Sequence, residues 1–350
     1  MHMADALISP LVGGTMWVAT AGVAAYSIKK IQTEMDEKKI PLMGVMGAFI
    51  FASQMINFTI PATGSSGHIG GGLILAILLG PYAGFLTMAS VLTIQALFFA
   101  DGGLLALGSN IFNMGFFSCF IAYPLIYKGL MAKGYSTRRI LFASVLTAII
   151  GLQLGAFGVV LETLFSGKTE LPFGTFVLLM QPIHLAIGAV EGLVTAAIVT
   201  YIWNQRPEII EKAASGQAIG NVSIKKVVAG MVAIAVITGG GLSWFASSNP
   251  DGLEWAMTKT AGTAELEAPD GIHQQLSELQ SKTAFLPDYS FKAPVNDTEQ
   301  IAGEAEETWP AVSGGTSTSG LVGGGLTLAL AALVGAGISL LKRRKNGARA

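Results

Sequence analysis

The chain has 350 residues, of which 51% are apolar and only 12% charged, with a formal net charge of -1. A soluble domain carries about a quarter charged residues, so this composition excludes an ordinary water-soluble domain, and the 44 glycines suit transmembrane helices. The single cysteine, Cys119, excludes an internal disulfide and a CxxC metal or redox site.

A bilayer core of about 30 Å needs roughly 20 mainly apolar helical residues to cross it. Such runs occur at 5–28, 42–60, 68–80, 83–100, 104–127, 139–165, 174–203, 227–246 and 320–341. The third is short and Gly80-Pro81 separates it from the fourth, so these two are either separate elements or one broken, re-entrant one. No Lys or Arg precedes Lys29, so the opening segment lacks the basic region of a signal peptide, and Met1 is expected to be the mature N-terminus.

Short cytoplasmic loops collect Lys and Arg. With the N-terminus outside and nine alternating spans, the inside receives Lys29, Lys30, Lys38, Lys39, Lys128, Lys133, Arg138, Arg139, Arg206, Lys212, Lys225 and Lys226, and the tail adds Lys342, Arg343, Arg344, Lys345 and Arg349. Only Lys168, Lys259, Lys282 and Lys292 remain outside. The sequence therefore predicts an all-α, polytopic transmembrane helical bundle in a prokaryotic plasma membrane, N-terminus outside and C-terminus inside.

The pattern divides near residue 205. Residues 1–205 hold a bundle of about seven helices, 206–226 are a polar cytoplasmic linker, and 227–350 hold two further transmembrane helices flanking an outside loop at 247–319. That loop carries twelve acidic and three basic side chains. It either concentrates cations through its field or is simply a solvated face. Residues 313–325, rich in Gly, Ser and Thr, read as a flexible linker.

The opening Met1-His2 dipeptide is a potential chelator. A free α-amine and the amide nitrogen of His2 close a five-membered ring on a metal; that amide and the His2 Nδ1 close a six-membered one. Three nitrogens then share a plane with its fourth corner open, a field suited to Ni(II) or Cu(II). A frayed terminus is the alternative. His68 follows the small-residue stretch Pro61-Ala62-Thr63-Gly64-Ser65-Ser66-Gly67 and precedes Ile69-Gly70-Gly71-Gly72. Non-helical backbone at membrane depth is tolerated only where protein or a water-filled cavity surrounds it, so His68 either supplies the fourth nitrogen or is hydrogen-bonded at the membrane interface.

Met1-His2-Met3-Ala4-Asp5-Ala6, the loop at 64–72, Gln95-Ala96-Leu97-Phe98-Phe99-Ala100-Asp101-Gly102-Gly103 and Glu191-Gly192-Leu193 resemble the CbiM/NikM family. These are substrate-specific S components of energy-coupling factor transporters for cobalt and nickel, and the resemblance covers roughly residues 1–205. It implies a four-nitrogen site made of the Met1 amine, the His2 amide and imidazole, and the His68 imidazole, with Ni(2+) or Co(2+) as transported substrate. The Ser-Gly-His-Ile-Gly-Gly form of the loop looks more like nickel members. Implied partners are a transmembrane T component, cytosolic ATP-binding subunits and the lipid bilayer, with no nucleic acid. Asn249-Pro250-Asp251-Gly252-Leu253-Glu254 looks like the PDGLE motif of NikN/CbiN-like accessory components, here fused to the S component.

Other polar residues keep two readings each. Asp5 either orients His2 or caps the first helix, with Ser65 and Ser66 as further supporting candidates. Asp101 reads as a turn residue. Glu191 and His184, on one helical face, serve either a switch or metal stop, or an internal hydrogen bond; a charge at mid-bilayer costs about 2.5–3.5 kcal/mol on insertion scales. Asn57, Gln95, Asn110 and Asn113 line a cavity or bridge helices. Gly44, Ala48 and Ala52 form a small-residue stripe, either a docking face for the T component or internal packing. Gly167-Lys168-Thr169 is a false P-loop, since the pattern needs Gly where Glu162 stands. An enzyme is not expected. A Co(II) importer serving cobalamin synthesis and a non-transporting membrane metal receptor are the rival readings.

Overall fold

The computed structural model describes residues 2–34, 37–269, 271–292 and 309–347. Among these the chain is helical, with a single two-stranded ribbon. Helix α1 (Pro10–Glu34) lies at the edge of the bundle and turns Leu11, Trp17 and Val18 outward, as a lipid-facing helix does. In α2 (Lys39–Gln54) every residue from Leu42 to Ala52 is buried. The chain then doubles back through β1 (Phe58–Ile60) and β2 (Ser65–Gly67), paired antiparallel with Phe58 opposite Gly67.

Helix α3 (Gly72–Leu79) is apolar all round and wholly buried. Its eight residues span about 12 Å, so it cannot cross a bilayer alone. Gly80, at φ +83°, and Pro81 at the first helical position make the turn into α4 (Pro81–Phe99). The two helices fold together where a side chain at Gly84 would meet the Ala76 amide at 2.9 Å. The short third apolar run is thus a loop plus half a helix, which leaves non-helical backbone inside the bundle.

Helix α5 (Leu107–Met131) continues through a π-helical stretch, Phe112–Tyr127, that contains Pro124. Helices α6 (Thr137–Phe165) and α7 (Phe173–Gln205) pack along their length. Side chains at Gly188 and Gly192 would meet the Ile149 and Val145 backbones at 2.7 and 2.3 Å. A short amphipathic α8 (Pro207–Ser215) buries Ile209, Ile210 and Ala213 and leads to α9 (Lys225–Gly240). Beyond it come α10 (Gly252–Ala261), α11 (Ile272–Thr283) and α12 (Gly314–Gly347). Among the described residues six helices are long and apolar enough to cross a membrane: α1, α4, α5, α6, α7 and α12.

Two expectations are corrected. Residues 314–325 are not a linker but the first turns of α12, and the loop expected at 247–319 accordingly ends earlier. Their small residues are contact residues: a side chain at Gly320 would meet the Gly239 carbonyl oxygen at 2.2 Å, and one at Gly323 the Phe51 ring at 2.0 Å. Small residues let helices approach closely, so a composition that suits a linker in water also suits a helix crossing. Second, the Gly44–Ala48–Ala52 stripe is covered by the chain's own α12. A side chain at Gly44 would meet the Leu328 carbonyl oxygen at 3.0 Å, and Ala48 and Ala52 are buried. That face is not open to a partner.

Candidate metal centre

Residues preceding α1 bend across one end of the bundle. The Met3 amide donates to Asn110 Oδ1 at 2.8 Å, and the Met3 carbonyl accepts from Asn110 Nδ2 at 3.1 Å and from the Gly103 amide at 2.9 Å. Three bonds thus fix the backbone one residue from His2. They bring His2 against His68, with ring centroids 5.1 Å apart and ring planes at 23°.

The loop carrying His68 is held from below by α7. Glu191, buried in that helix, accepts the Gly70 amide at 2.7 Å and the Gly71 amide at 3.1 Å, one on each carboxylate oxygen. Gly71 sits at φ +83°, a backbone that glycine adopts without strain, and Gly72 approaches so closely that a side chain would meet the Met114 carbonyl oxygen at 2.5 Å. His68 Nδ1 lies 3.0 Å from the Ile69 carbonyl oxygen. A carbonyl only accepts, so Nδ1 carries the hydrogen and Nε2 presents its lone pair.

His2 is contacted by two more side chains. Its Nε2 lies 3.2 Å from Gln95 Oε1 and its Nδ1 3.3 Å from Asp101 Oδ1. The Tyr289 hydroxyl donates to the other oxygen of Asp101. Burial lowers the pKa of His2 to about 3 and that of His68 to about 4, because a charged imidazole loses its hydration there. Both rings are therefore neutral at pH 7, the state in which imidazole ligates metal. Burial raises Asp101, partly offset by the Tyr289 hydrogen bond. Burial would also raise Asp251, but the neighbouring His68 and the Glu254 amide it accepts help to hold that carboxyl well below the usual range.

Of the residues singled out from sequence, the fold brings His2 and His68 together, while Met1 lies outside the described residues. Asp5 does not reach His2; its Oδ1 accepts the Ala106 amide at 3.0 Å. It presses on Gly103, where a side chain would meet Asp5 Oδ1 at 1.9 Å, so Asp5 shapes the 101–106 turn. The carboxylate beside the imidazole is Asp101, read from sequence as a turn residue. Ser65 and Ser66 point away from the rings: the Ser66 hydroxyl donates to the Asn249 carbonyl at 2.7 Å and its amide to the Pro250 carbonyl at 2.8 Å. His184 hydrogen-bonds within its helix to Met180 at 2.8 Å and lines, with His68 and Asp251, a cavity of about 10 Å³, room for one water-sized particle. Asn113 bonds Glu162, and Asn57 Oδ1 is buried without a protein partner among the described residues. Gln54 and Tyr289 were missed; Gln54 carries the signal of a polar residue ending an otherwise apolar span.

The second half of the chain covers this end. The Pro250 turn sits on the hairpin, Trp255 Nε1 donates to the Thr63 carbonyl at 3.0 Å, and Asp251 caps α10 by accepting the Leu253 and Glu254 amides at 2.8 Å. From α11, His273 Nε2 reaches the Ile8 carbonyl at 2.9 Å, and Gln280 Nε2 reaches the carbonyls of Ala96 and Gly102, both at 2.8 Å. Tyr289 stacks on Phe99 at 5.1 Å. The described part of the acidic segment is therefore an ordered cover, and its fixed contacts replace a merely solvated face.

Among the described residues no three His, Cys, Asp or Glu side chains surround one point.

Residues 2–209 match the CbiM model, described as the cobalt uptake substrate-specific transmembrane region, and residues 225–340 match the PDGLE domain. The chain is 38% identical to a putative fused nickel transport protein NikMN of Archaeoglobus fulgidus, over 67% of this chain and 75% of that protein. It is 31% identical to the fused nickel transport protein NikMN of Rhodobacter capsulatus, over 60% and 64% of the two chains. With the cobalt transport protein CbiM of Sorangium cellulosum the identity is 29%, over 61% and 95%. A crystal structure of a truncated transition metal transporter superposes with a TM-score of 0.52 at 30% identity, covering 59% of this chain and 99% of that one.

Proposed function

Because the chain belongs to the CbiM family, with a PDGLE domain in the same polypeptide, we propose that it is the metal-capturing membrane subunit of a Ni(II) importer, binding the ion through four nitrogens at its amino end. Metal transport and a multi-pass membrane fold are common ground with its relatives. The observation that carries the finer reading is the meeting of His2 and His68, neutral and stacked at 5.1 Å, at the end where the first residues are pinned.

The donors are the amine of Met1, the amide and Nδ1 of His2, and Nε2 of His68. A square plane of strong-field nitrogens favours Ni(II), and the fused nickel relatives share the two-part architecture. Residues 1–205 form the capture unit, and 227–350 the accessory unit. The amino end and the cover face outside, the basic loops face inside, and a T component with ATP-binding subunits drives release. Cobalt is the second reading, favoured by relatives named as cobalt transport proteins.

Inserting one alanine between Met1 and His2 separates the two chelate rings. The purified full-length variant is expected to lose stoichiometric Ni(II) binding while remaining folded in detergent. Unchanged binding would rule the amino-terminal chelate out, and competition between Ni(II) and Co(II) on the unmodified chain decides the cargo.

A further inference from the structure

A buried chain of hydrogen bonds joins the two imidazoles through the floor of the site. His2 Nε2 meets Gln95 Oε1 at 3.2 Å; Gln95 Nε2 donates to Gln54 Oε1 at 2.9 Å; Gln54 Nε2 donates to the Gly70 carbonyl at 2.8 Å. Gly70 lies two residues beyond His68 and its amide donates to Glu191. Both glutamines are buried, so neither has water as an alternative partner.

An amide side chain has one donating and one accepting end, so the order of such a chain is set by whichever terminus has no choice. Here that terminus is Gly70, whose carbonyl can only accept. It requires the Gln54 nitrogen to face it, leaving the Gln54 oxygen to face Gln95. Gln95 must then offer its nitrogen to Gln54, which leaves its oxygen facing His2. An imidazole lone pair toward that oxygen would put two acceptors 3.2 Å apart, so the relay calls for the His2 hydrogen on Nε2. Asp101 Oδ1, 3.3 Å from Nδ1, competes for the same hydrogen, and a hydrogen placed there would break this order at its last link.

From this we infer that Gln54 and Gln95 are positioning residues that hold His2 as the Nε2–H tautomer, so that its Nδ1 lone pair is presented for metal and the ring is tied to the His68 loop. The inference rests on the amino-terminal site proposed above. Nδ1 is the nitrogen that closes a six-membered ring with the residue's own amide; Nε2 is too remote to close it. Partners behind a ligating histidine commonly fix its tautomer in this way, and losing one costs about 10- to 100-fold in affinity.

The test uses the full-length, metal-free chain with ¹⁵N-labelled histidine; long-range ¹H–¹⁵N correlation separates the two neutral tautomers, and with four histidines in the chain a His2→Ala sample assigns the signal. His2 is expected in the Nε2–H form, and a wild-type Nδ1–H form overturns the inference without needing any variant of the relay. Gln95→Met and Gln54→Met, close in volume but unable to hydrogen-bond in the same way, are each expected to weaken Ni(II) binding about tenfold. Because they act in series, the double variant should be no weaker than the worse single one to within about twofold, whereas multiplied losses would show independent structural effects and overturn the relay. If His2→Ala binds Ni(II) like the wild type, the amino-terminal site itself is wrong. If His2 is required yet carries its hydrogen on Nδ1, only the relay fails.

Discussion

The floor and the cover of the candidate site are built differently. The floor that positions His2 and His68, directly or through neighbouring backbone, comes from the first half of the chain: Gln54 on α2, Gln95 on α4, Glu191 on α7 and Asn110 on α5, all buried on helices. The cover comes from the second half, and its polar links run largely through loops and main-chain carbonyls, as in Ser66 to Asn249 or Gln280 to Gly102. A floor on rigid helices can hold donor atoms to a fraction of an ångström. A cover on loops draws from the low-stability end of a structure, where local opening is cheapest. Geometry and access are thus assigned to different halves, and substitutions should separate them.

The largest effect is expected in the floor itself. His68→Ala deletes one of four proposed donors, and Ni(II) affinity should fall by more than the roughly hundredfold that loss of an outer partner costs. Isothermal titration of the purified chain measures it. An unchanged affinity would place the ion elsewhere and end the comparison at its first step.

Glu191→Ala comes next. It takes the accepting carboxylate away from two buried amides, Gly70 and Gly71, and leaving a buried donor unpaired costs about 1–3 kcal/mol. The His68 loop should loosen, lowering affinity by about 10- to 100-fold, with no additional loss in a His68→Ala background. Additive losses would show that Glu191 supports the bundle generally and does not act through the loop.

How much of this could be read from the sequence follows the same division. The floor's chemistry was legible where a polar residue interrupts an apolar run, as with His68 and Glu191. The proposed amino-terminal chelate was raised by the order Met1-His2, with a frayed terminus as its alternative until His68 was set beside it. What stayed hidden were pairings set by helix packing. Nothing local tells that Asp101 and not Asp5 faces His2, since each is a lone carboxylate at the end of an apolar run and the choice depends on how α4 and α5 meet. For the cover, composition offers a cation-concentrating field or a solvated face but not an ordered cover, because its links use main-chain carbonyls, which no composition records. Residues 314–325 misled for a related reason: glycine signals flexibility in water and close contact between helices, and only the position of Phe51 and Gly239 decides between them.

Effects on the cover should be smaller and should appear in rates before affinities. Tyr289→Phe removes the hydroxyl that donates to Asp101 while keeping the ring stacked on Phe99. One hydrogen bond to a charged or polar partner contributes about 1–3 kcal/mol. The contact lies outside the proposed donor set, so equilibrium Ni(II) affinity should change by less than about tenfold while the off-rate measured by chelator competition rises. A loss as large as that of His68→Ala would make Tyr289 part of the floor and erase the distinction.

The finest cut is Ser66→Ala. It removes the hydroxyl, which bonds the Asn249 carbonyl at 2.7 Å and also reaches the Pro250 carbonyl at 3.2 Å, but keeps the Ser66 amide bonded to Pro250, so the hairpin and the cover lose part of one cluster of links. Ser66 is buried, yet the group left unpaired on the other side is a main-chain carbonyl oxygen at a half-buried loop, which water can reach when the cover lifts. The net cost should therefore sit near the typical 1 kcal/mol of a single hydrogen bond, or about fivefold in the opening equilibrium at 1.4 kcal/mol per tenfold. Amide hydrogen exchange in α10 reads this directly, because its first turn is capped by Asp251 in the same turn that Ser66 holds. Exchange across Leu253–Met257 should accelerate about fivefold while α6 and α7 stay protected. Equal acceleration in α6 and α7 would mean that cover and floor open as one unit, and the two halves would then share a single stability.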